Sequence, residues 1–252
     1  MRPERTPFVA AHLQSVPRIN SSGLSVEAAR HAHLRRALQF VTVPQFSELF
    51  LEFGVRNGHS ISMMANVTSS WSDRYRWDGF DSFRGLPRAE DIVAGVQRRK
   101  IGWSMGVYST HGRLPAVPSS VSLHVGWFNE SFPAFLDRQP TSRAVAFAHL
   151  DADLYESSIT ILHLLATTCR LRRGTVLAFD ELFGSPAVEQ HEWRALRDVA
   201  RCFGLRFSFI SFMAHERSAF GRAAVQIMDA GPACAARVRM APATDCGYIS
   251  SK

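Results

Sequence analysis

The stretch AVAFAHLDADLYESS, residues 144–158, indicates the fold of this chain. A run of seven residues, all apolar except His149, stops at two acidic residues, Asp151 and Asp153, and a helical pattern follows. Strands that are buried on both faces have this form, a continuous apolar run rather than an alternating one. The stretch therefore predicts a strand over residues 144–150 inside a parallel sheet that helices cover on both sides.

A second segment of the same kind, GTVLAFDELFG at residues 174–184, ends its apolar run in Asp180 and Glu181. One helical crossover, roughly residues 154–169, separates the two runs. Consecutive parallel strands joined by one helix tend to lie side by side, with their carboxyl ends at the same sheet edge. We therefore expect Asp151, Asp180 and Glu181 to converge there.

Further apolar runs complete the predicted sheet. The predicted strands outside residues 144–150 are Glu48–Phe53, Trp77–Phe83, Val121–Val125, Thr175–Phe179, Leu205–Met213 and Arg222–Met228. The last two have only a short glycine-containing link between them, which favours an antiparallel pair at the sheet edge. The apolar spacing of residues 24–40 predicts a helix with Ser25 as its N-cap. The predicted class is an α/β fold.

The pattern along the chain predicts one main domain with additions at both ends. We expect a helical extension or cap over residues 1–46, its first residues loosely held, and the main domain over residues 47–230. Residues 84–120 are polar, rich in Gly and Pro and weakly periodic, which is typical of a lid or a substrate-binding loop. Residues 231–252 predict a flexible tail.

Composition excludes several classes of protein. The 252 residues are 46% hydrophobic, which is enough for a sizeable core and rules out global disorder. No apolar run reaches the ~18 residues of a membrane span, and the N-terminus lacks the apolar segment of a secretory signal. Four scattered cysteines without a CxxC pair predict neither a disulfide framework nor a zinc site, so we expect a reduced, cytoplasmic protein.

The net charge of +7 suggests an acidic partner such as nucleic acid. The kind of basic residue weakens that suggestion, because only Lys100 and Lys252 are lysines and the other 27 of the 29 basic residues are arginines spread along the chain. The longest basic cluster, residues 98–100, is short, and a solvated charge run is its ordinary role. We therefore expect neither a membrane nor a nucleic-acid partner.

A glycine loop, FLEFGVRNGHS at residues 50–60, follows the first predicted strand. Its ExGxxxG pattern differs from the GxGxxG of dinucleotide folds and lacks the GK[ST] of a P-loop, so a ligand without a pyrophosphate fits better. Asp81 ends the next strand, where a carboxylate can accept hydrogen bonds from the vicinal hydroxyls of a ribose. A purely structural turn and a loop carboxylate are the alternatives to these two binding roles.

Three carboxylates in one cleft repel one another unless a positive charge lies among them. A hard divalent cation bound by carboxylate and water oxygens meets this need, and Mg²⁺ is the ordinary choice. Beside a nucleotide-like ligand, such an ion can bind a substrate hydroxyl and lower its pKa. Asp153, two residues after Asp151, is then the predicted general base. The alternative is that these acids only cap the helices that follow.

Together these segments resemble the Mg²⁺-dependent, S-adenosylmethionine-dependent O-methyltransferases of the macrocin and mycinamicin sugar type (TylF-like), which include the noviose enzyme. The resemblance is carried by LEFGVRNGHS, GFDSFRGLP, YSTHGRLPAVPSSVSLHVGWFNESFP, HLDADLYESS and GTVLAFDELFG followed by EQHEWRAL, in that order over about residues 50–197. It implies the class I methyltransferase fold, a Rossmann-like sheet of seven strands with the last one antiparallel and helices on both faces.

The resemblance also implies a role for each site residue. The methionine end of S-adenosylmethionine would lie against Glu52, Gly54, Gly58 and Ser60, the adenosine against Asp81, Ser82 and Phe83, and the adenine region against Gly126, Trp127 and Phe128. Asp151, Asp180 and Glu181 would hold Mg²⁺, and Asp153 would be the catalytic base beside Asp151. The sugar enzymes usually carry two aspartates where this chain has Asp180 and Glu181, so the longer arm of Glu181 changes the reach of that ligand.

The implied activity is methyl transfer to a hydroxyl of a small molecule, above all a sugar or a glycosylated natural product. The sequence leaves the oligomeric state open, and a homo-oligomer is compatible with it. Two alternatives remain. An RNA-modifying methyltransferase on the same fold would suit the pI of about 9.8, although a carboxylate cluster repels phosphates. A non-catalytic nucleic-acid-binding or scaffold protein that kept the fold would not need intact acids at all the strand ends.

Four further residues have two interpretations each. His149 suits a core histidine better than a catalytic one. His191 and Glu192 either face the substrate entrance or form a solvated first helical turn. Tyr108, in the predicted lid, either stacks on a sugar face or fastens the loop to the body of the protein.

Overall fold

One seven-stranded sheet organises the chain, which the computed structural model describes over residues 7–42, 48–87, 105–214 and 220–231. The strands are β1 (Leu49–Phe53), β2 (Trp77–Asp81), β3 (Val121–Val125), β4 (Val145–Leu150), β5 (Val176–Phe183), β6 (Arg206–Ala214) and β7 (Gly221–Asp229). Their order across the sheet is β3-β2-β1-β4-β5-β7-β6. Only β7 runs antiparallel to its neighbours, so the predicted seven-stranded sheet with an antiparallel last strand is confirmed.

Helices cover both faces of the sheet, as predicted. In the described residues they are α1 (Pro7–His12), α2 (Val26–Leu38), α3 (His59–Ser69), α4 (Phe128–Leu136), α5 (Tyr155–Thr167), a 3-10 helix (Val188–Gln190) and α6 (Glu192–Phe203). The apolar side chains of α2 and α3 form the core on one face, and those of α1, α4, α5 and α6 form the core on the other. None of the helices in the described part has the length and apolar character that a bilayer crossing needs.

Strand β5 is longer than the sequence predicts. The apolar run stops at Phe179, yet β5 continues to Phe183. Its pairing with β4 ends at Phe179, and beyond that point it pairs again with β7, where Phe183 lies opposite Gly221. Asp180 and Glu181 are therefore part of a strand rather than of the loop after it, which fixes the direction of their side chains.

Helix α2 begins where the sequence predicts. Ser25 is its N-cap, and the Ser25 hydroxyl accepts a hydrogen bond of 3.1 Å from the backbone N–H of Ala28. Such a cap stabilises a helix by about 1 kcal/mol. Leu34 and Leu38 are fully buried on the inner side of the helix. The cap and the apolar side together fix the position of α2 on the sheet.

The expectation that the first residues are loosely held is wrong for residues 7–20. Phe8 is buried in the main core, where its ring stacks on Phe183 at 5.2 Å and meets Trp193 edge-on at 5.0 Å. Further along, the backbone N–H of Ile19 donates to the carbonyl of Phe212 in β6. A six-residue helix is too short to show a periodic pattern, so the sequence did not reveal this docking.

Several predicted features lie outside the described residues. These are residues 1–6 and 43–47 of the predicted cap, residues 88–104 of the predicted lid with the basic cluster 98–100, and residues 232–252 of the predicted tail. The predictions for these segments remain predictions.

The cysteines differ from expectation. Cys169 and Cys202 are both disulfide-bonded, whereas their scatter in the sequence predicted no disulfide framework. Cys169 follows α5, and Cys202 lies in α6. Disulfide bonding depends on which segments the fold brings together, and that leaves no spacing pattern in the sequence.

Phe8→Ala should lower the free energy of unfolding by about 3–5 kcal/mol, because it leaves a cavity beside the rings of Phe183 and Trp193. The measurement is denaturant unfolding, with Leu114→Ala as the control, since Leu114 is 54% exposed. Equal stability of the two variants would show that α1 does not belong to the core.

Candidate active site

The site lies at the point where the sheet changes its direction of winding. Strands β1 and β4 are neighbours, but the chain leaves β1 for α3 on one face and leaves β4 for α5 on the other. In open α/β sheets, ligands bind in the crevice at the carboxyl ends of two such strands. The glycine loop follows β1 and the acidic segment follows β4, so both predicted sites border this crevice.

The glycine loop and the acidic segment are in direct contact. Gly54 has a φ of +91°, and a Cβ atom on it would lie 2.1 Å from the carbonyl oxygen of Asp151. The backbone N–H of Asp151 donates to the carbonyl of Phe53 at 2.9 Å. Gly58, with a φ of +74°, is the N-cap of α3, and Ser60 is buried in the first turn of that helix. Only glycine allows the two segments to approach this closely.

The carboxylate of Asp81 fastens the glycine loop. One of its oxygens accepts hydrogen bonds from the backbone N–H groups of Val55 at 2.9 Å and Arg56 at 2.8 Å, and the other accepts one from Phe83 at 2.7 Å. A carboxylate has about four lone-pair sites, so further donors such as ribose hydroxyls can still be accepted. The structure thus gives Asp81 a role in the loop, and its ribose role remains a prediction.

The residues predicted to border the adenosine gather around Asp81. The backbone N–H of Gly126 donates to the carbonyl of Asp81 at 3.0 Å, which brings the start of α4, with Trp127 and Phe128, close to β2. Ser82 is buried, and its hydroxyl accepts a hydrogen bond of 3.1 Å from the backbone N–H of Arg84. Phe83 differs from the others, since its ring is 1% exposed and lies in the core beside α2 and α3.

Glu52 forms a buried pair with His149. Its Oε1 lies 2.8 Å from Nδ1 of His149, and both side chains are fully buried. Within the described residues, Oε2 of Glu52 has no hydrogen-bond partner, and neither does Nε2 of His149. His149 therefore lies in the core, as its interpretation as a core histidine predicts. From β4 it pairs with Glu52 near the end of β1.

Arg30, on the second turn of α2, bridges two of the three predicted metal ligands. Its Nη1 lies 2.8 Å from Oδ2 of Asp151, and its Nη2 lies 2.8 Å from Oδ2 of Asp180. The guanidinium therefore joins the ends of β4 and β5. Burial raises the pKa of Asp151, although the charge of Arg30 opposes this rise.

Asp180 also pairs with Arg222 of β7. The Nε of Arg222 donates to Oδ1 of Asp180 at 2.7 Å, and its Nη2 donates to Oδ2 at 3.2 Å. Burial opposes the ionisation of Asp180, but Arg222 and then Arg30 outweigh it and hold the pKa of this carboxyl below its usual range. Asp180 is therefore an ionised aspartate between two arginines.

Asp153 and Glu181 form a second pair. Each carboxyl influences the ionisation of the other. Burial, and then the charge of Asp151, raises the pKa of Asp153 to about 8. Burial, and then the charge of Asp153, raises the pKa of Glu181 well above its usual range. The pKa values of both carboxyls are therefore raised, which favours their neutral forms.

Glu192, the first residue of α6, connects both acidic segments. Its Oε1 accepts a hydrogen bond from the backbone N–H of Ala152 at 3.3 Å, and its Oε2 accepts one from Glu181 at 3.1 Å. Glu192 is fully buried, so the interpretation as a solvated first turn is wrong for it. The neighbouring His191 accepts a hydrogen bond from the backbone N–H of Tyr155 through Nδ1.

The described end of the predicted lid packs on the glycine loop. The carbonyl of Phe83 accepts hydrogen bonds from the backbone N–H groups of Thr110 and Gly112, and the guanidinium of Arg56 lies 4.9 Å from the ring centre of Tyr108. Burial, and then the charge of Asp153, raises the pKa of the Tyr108 hydroxyl. Tyr108 therefore belongs to the rim of the site near the acids, and its ring fastens the loop.

Sequence analysis missed Arg30, Arg222 and the buried role of Glu192. Nothing in the predicted helix 24–40 shows that its second turn faces the strand ends, since this depends on how the helix packs. Arg222 is the first residue of a predicted strand. The predicted cluster of acids needs a positive charge, and this arginine could have been considered as its source. Glu192 lies in EQHEWRAL, a segment of the family resemblance, and that was its one signal.

The predicted metal ligands fit a divalent ion by their chemistry. They supply carboxylate oxygens, which Mg²⁺ prefers, and Oε2 of Glu181 is buried without a hydrogen-bond partner in the described residues. Their arrangement is different, because Arg30 holds the facing oxygens of Asp151 and Asp180. Within the ranges that the structure describes, no three His, Cys, Asp or Glu side chains are arranged to hold a metal ion as they lie.

The fold and the strand-end site define the class as a class I methyltransferase. A profile of the macrocin-O-methyltransferase (TylF) family matches residues 14–202, and the chain belongs to this family. No functionally curated protein matches its sequence.

Solved structures support the fold. The calicheamicin methyltransferase CalS11 is 23% identical with a TM-score of 0.55, over 80% of this chain and 77% of that one. The apo structure of CalS11, described as a TDP-rhamnose 3'-O-methyltransferase, is 21% identical with a TM-score of 0.52, over 78% of each chain. The O-methyltransferase NovP is 20% identical with a TM-score of 0.53, over 79% of each chain. At these identities the likeness concerns the fold.

Glu192→Ala should lower the free energy of unfolding by about 1–3 kcal/mol for each of the two backbone N–H groups that it leaves buried and unpaired. Denaturant unfolding measures the change. The matched control is Glu130→Ala, because Glu130 is also in the first turn of a helix but is exposed. An equal loss in both variants would mean that Glu192 acts only on the helix dipole.

Proposed function

We propose that this chain transfers a methyl group from S-adenosylmethionine to a hydroxyl of a small molecule, with a sugar or a glycosylated natural product as the favoured acceptor. Membership of the macrocin-O-methyltransferase family supports methyl transfer to oxygen. The observation that carries the proposal is the contact between Gly54 and Asp151. It brings the loop proposed for the methyl donor against the segment proposed for catalysis, so the donor and the acceptor hydroxyl would meet within one crevice.

The proposed reaction is an in-line displacement. The acceptor oxygen forms a bond to the methyl carbon, the bond from that carbon to the sulfonium sulfur breaks, and the hydroxyl proton passes to Asp153. Asp153 is buried beside Asp151 and Glu181, where its carboxylate can act as a general base. Holding the two reactants in line can supply ~7–11 kcal/mol of the barrier. We assign this positioning to Glu52, Gly54, Gly58 and Ser60 on the donor side.

We also propose that Mg²⁺ assists the reaction. Asp151, Asp180 and Glu181 would hold the ion, which would lower the pKa of the acceptor hydroxyl when bound. Asp81, Ser82, Phe83, Gly126, Trp127 and Phe128 are proposed to border the adenosine of the donor. Phe83 would take part through its backbone, because its ring is buried in the core.

The remaining proposals concern the surroundings of the enzyme. We propose a small hydroxylated acceptor as the binding partner of this chain and do not expect it to bind nucleic acid. The proposal is compatible with a homo-oligomer. The cytoplasmic location stays a prediction. The disulfide bonds of Cys169 and Cys202 weigh against it, because disulfides are rare in reducing compartments, and a thiol titration of freshly purified protein would test it.

Asp151→Ala should abolish methyl transfer and leave the binding of S-adenosylmethionine largely intact. The variant removes a proposed metal ligand, while the glycine loop keeps its fastening to Asp81. Turnover is measured with a panel of sugar, phenol and polyketide hydroxyl acceptors, with Mg²⁺ and with EDTA. Binding of the donor is measured by calorimetry, with Asp137→Ala, an exposed aspartate, as the control.

Near-normal turnover of Asp151→Ala in EDTA would contradict the magnesium proposal. An RNA substrate included in the panel tests the alternative of an RNA methyltransferase, which predicts strongly salt-dependent binding. A chain that fails to bind S-adenosylmethionine at all would favour the non-catalytic alternative.

Asp81→Asn should weaken the binding of S-adenosylmethionine. An asparagine has one acceptor oxygen, so its amide group would face backbone N–H donors that Asp81 now satisfies, and the glycine loop would shift. Calorimetry measures the loss against Asp73→Asn, an exposed aspartate before β2. Unchanged affinity in both variants would remove Asp81 from the donor site.

A further inference from the structure

The ion pairs of Arg30 hold two carboxylates from different strands at once. Each terminal nitrogen of the guanidinium lies 2.8 Å from a separate carboxylate oxygen, one on Asp151 and one on Asp180. The fork of donors on an arginine suits this bridging, whereas a lysine offers a single point charge. Arg30 therefore lies between the same two side chains that the magnesium proposal assigns to the ion.

The carboxylate oxygens that Arg30 binds are the ones that an ion shared by Asp151 and Asp180 would need. Oδ1 of Asp180 is already bound to Arg222, and its Oδ2 is bound by both arginines. A Mg²⁺ ion binds carboxylate oxygens at ~2.1 Å, so an ion between Asp151 and Asp180 would lie within a few ångströms of the Arg30 guanidinium. Like charges at that distance repel strongly in a partly buried site.

The Arg30 side chain has a route out of the site. Helix α2 is fixed by the Ser25 cap and by the burial of Leu34 and Leu38, so the backbone of Arg30 stays in place. The side chain itself is 30% exposed, in contrast to Arg222, which is 3% exposed. A change of rotamer toward solvent would free Oδ2 of Asp151 and leave Oδ2 of Asp180 with Arg222 alone, without a movement of the helix.

We propose that Arg30 is a built-in competitor of the divalent ion, holding Asp151 and Asp180 together when the ion is absent and leaving when the ion binds. The proposal rests on the proposed magnesium site. Because the two cations use the same oxygens, each lowers the affinity of the site for the other. Loading of the site with metal then requires the displacement of a side chain from α2, and the affinity of the chain for the ion is reduced accordingly.

The test is binding of Mn²⁺, followed by the loss of its free paramagnetic signal, to protein stripped with a chelator. Arg30→Met should bind Mn²⁺ about tenfold or more tightly than the wild type, a change within the usual range for two coupled ligands. Arg35→Met, an exposed arginine of the same helix, should bind it as the wild type does. Equal or weaker binding by Arg30→Met, or no binding by either protein, overturns the proposal.

A second variant guards against a folding defect in Arg30→Met. Arg30→Lys keeps the charge but lacks the two separate terminal nitrogens with which Arg30 reaches both carboxylates, so it should bind Mn²⁺ a few-fold more tightly than the wild type, and unchanged affinity contradicts the proposal. Calorimetry with S-adenosylmethionine and a turnover assay are run on the same preparations. Failure of these two measurements alone would contradict the proposed function, and the Mn²⁺ comparison would still stand.

Discussion

Buried carboxyl groups at the ends of β4 and β5 impose the constraint around which the site is built. Burying one unpaired charge is costly, and here Asp151, Asp153, Asp180 and Glu181 lie together. The structure compensates them in two ways, with guanidinium groups for Asp151 and Asp180, and with raised pKa values that favour the neutral forms for Asp153 and Glu181. Because the compensating groups come from α2 and β7, the positions of those elements are tied to the acids.

The antiparallel strand β7 has a role in this balance. It enters the sheet between β5 and β6, so that its first residues run beside the acidic end of β5. Arg222 thereby reaches both oxygens of Asp180 within a fully buried pair. On the other side, α6 supplies Glu192, whose two oxygens join the backbones of the acidic segments. Together with α2, which carries Arg30, β7 and α6 thus hold the acidic part of β5 in place.

The sequence predicted what depends on local pattern. Apolar patterns located all seven strands, and the acids of the β4 and β5 segments were expected to converge, as Asp151 and Asp180 do through Arg30. The other contacts depend on packing between distant segments, which no spacing records. The side of α2 that carries Arg30, the buried ring of Phe83 and the docking of Phe8 are of this kind. The continuation of β5 through Asp180 depends on its pairing with β7, for the same reason.

The docking of the N-terminal segment onto β6 has a consequence for the order of folding. The backbone of residues 17–19 pairs with Phe212, and the hydroxyl of Ser21 donates to the carbonyl of Ala214. Ser21 and Ala214 are 193 positions apart in the sequence, and closing so long a loop carries an entropic cost. The arginines that compensate Asp180 come from the same two distant regions, Arg30 from α2 and Arg222 from β7. The ion pairs of the crevice therefore form only when these distant segments have packed against β5.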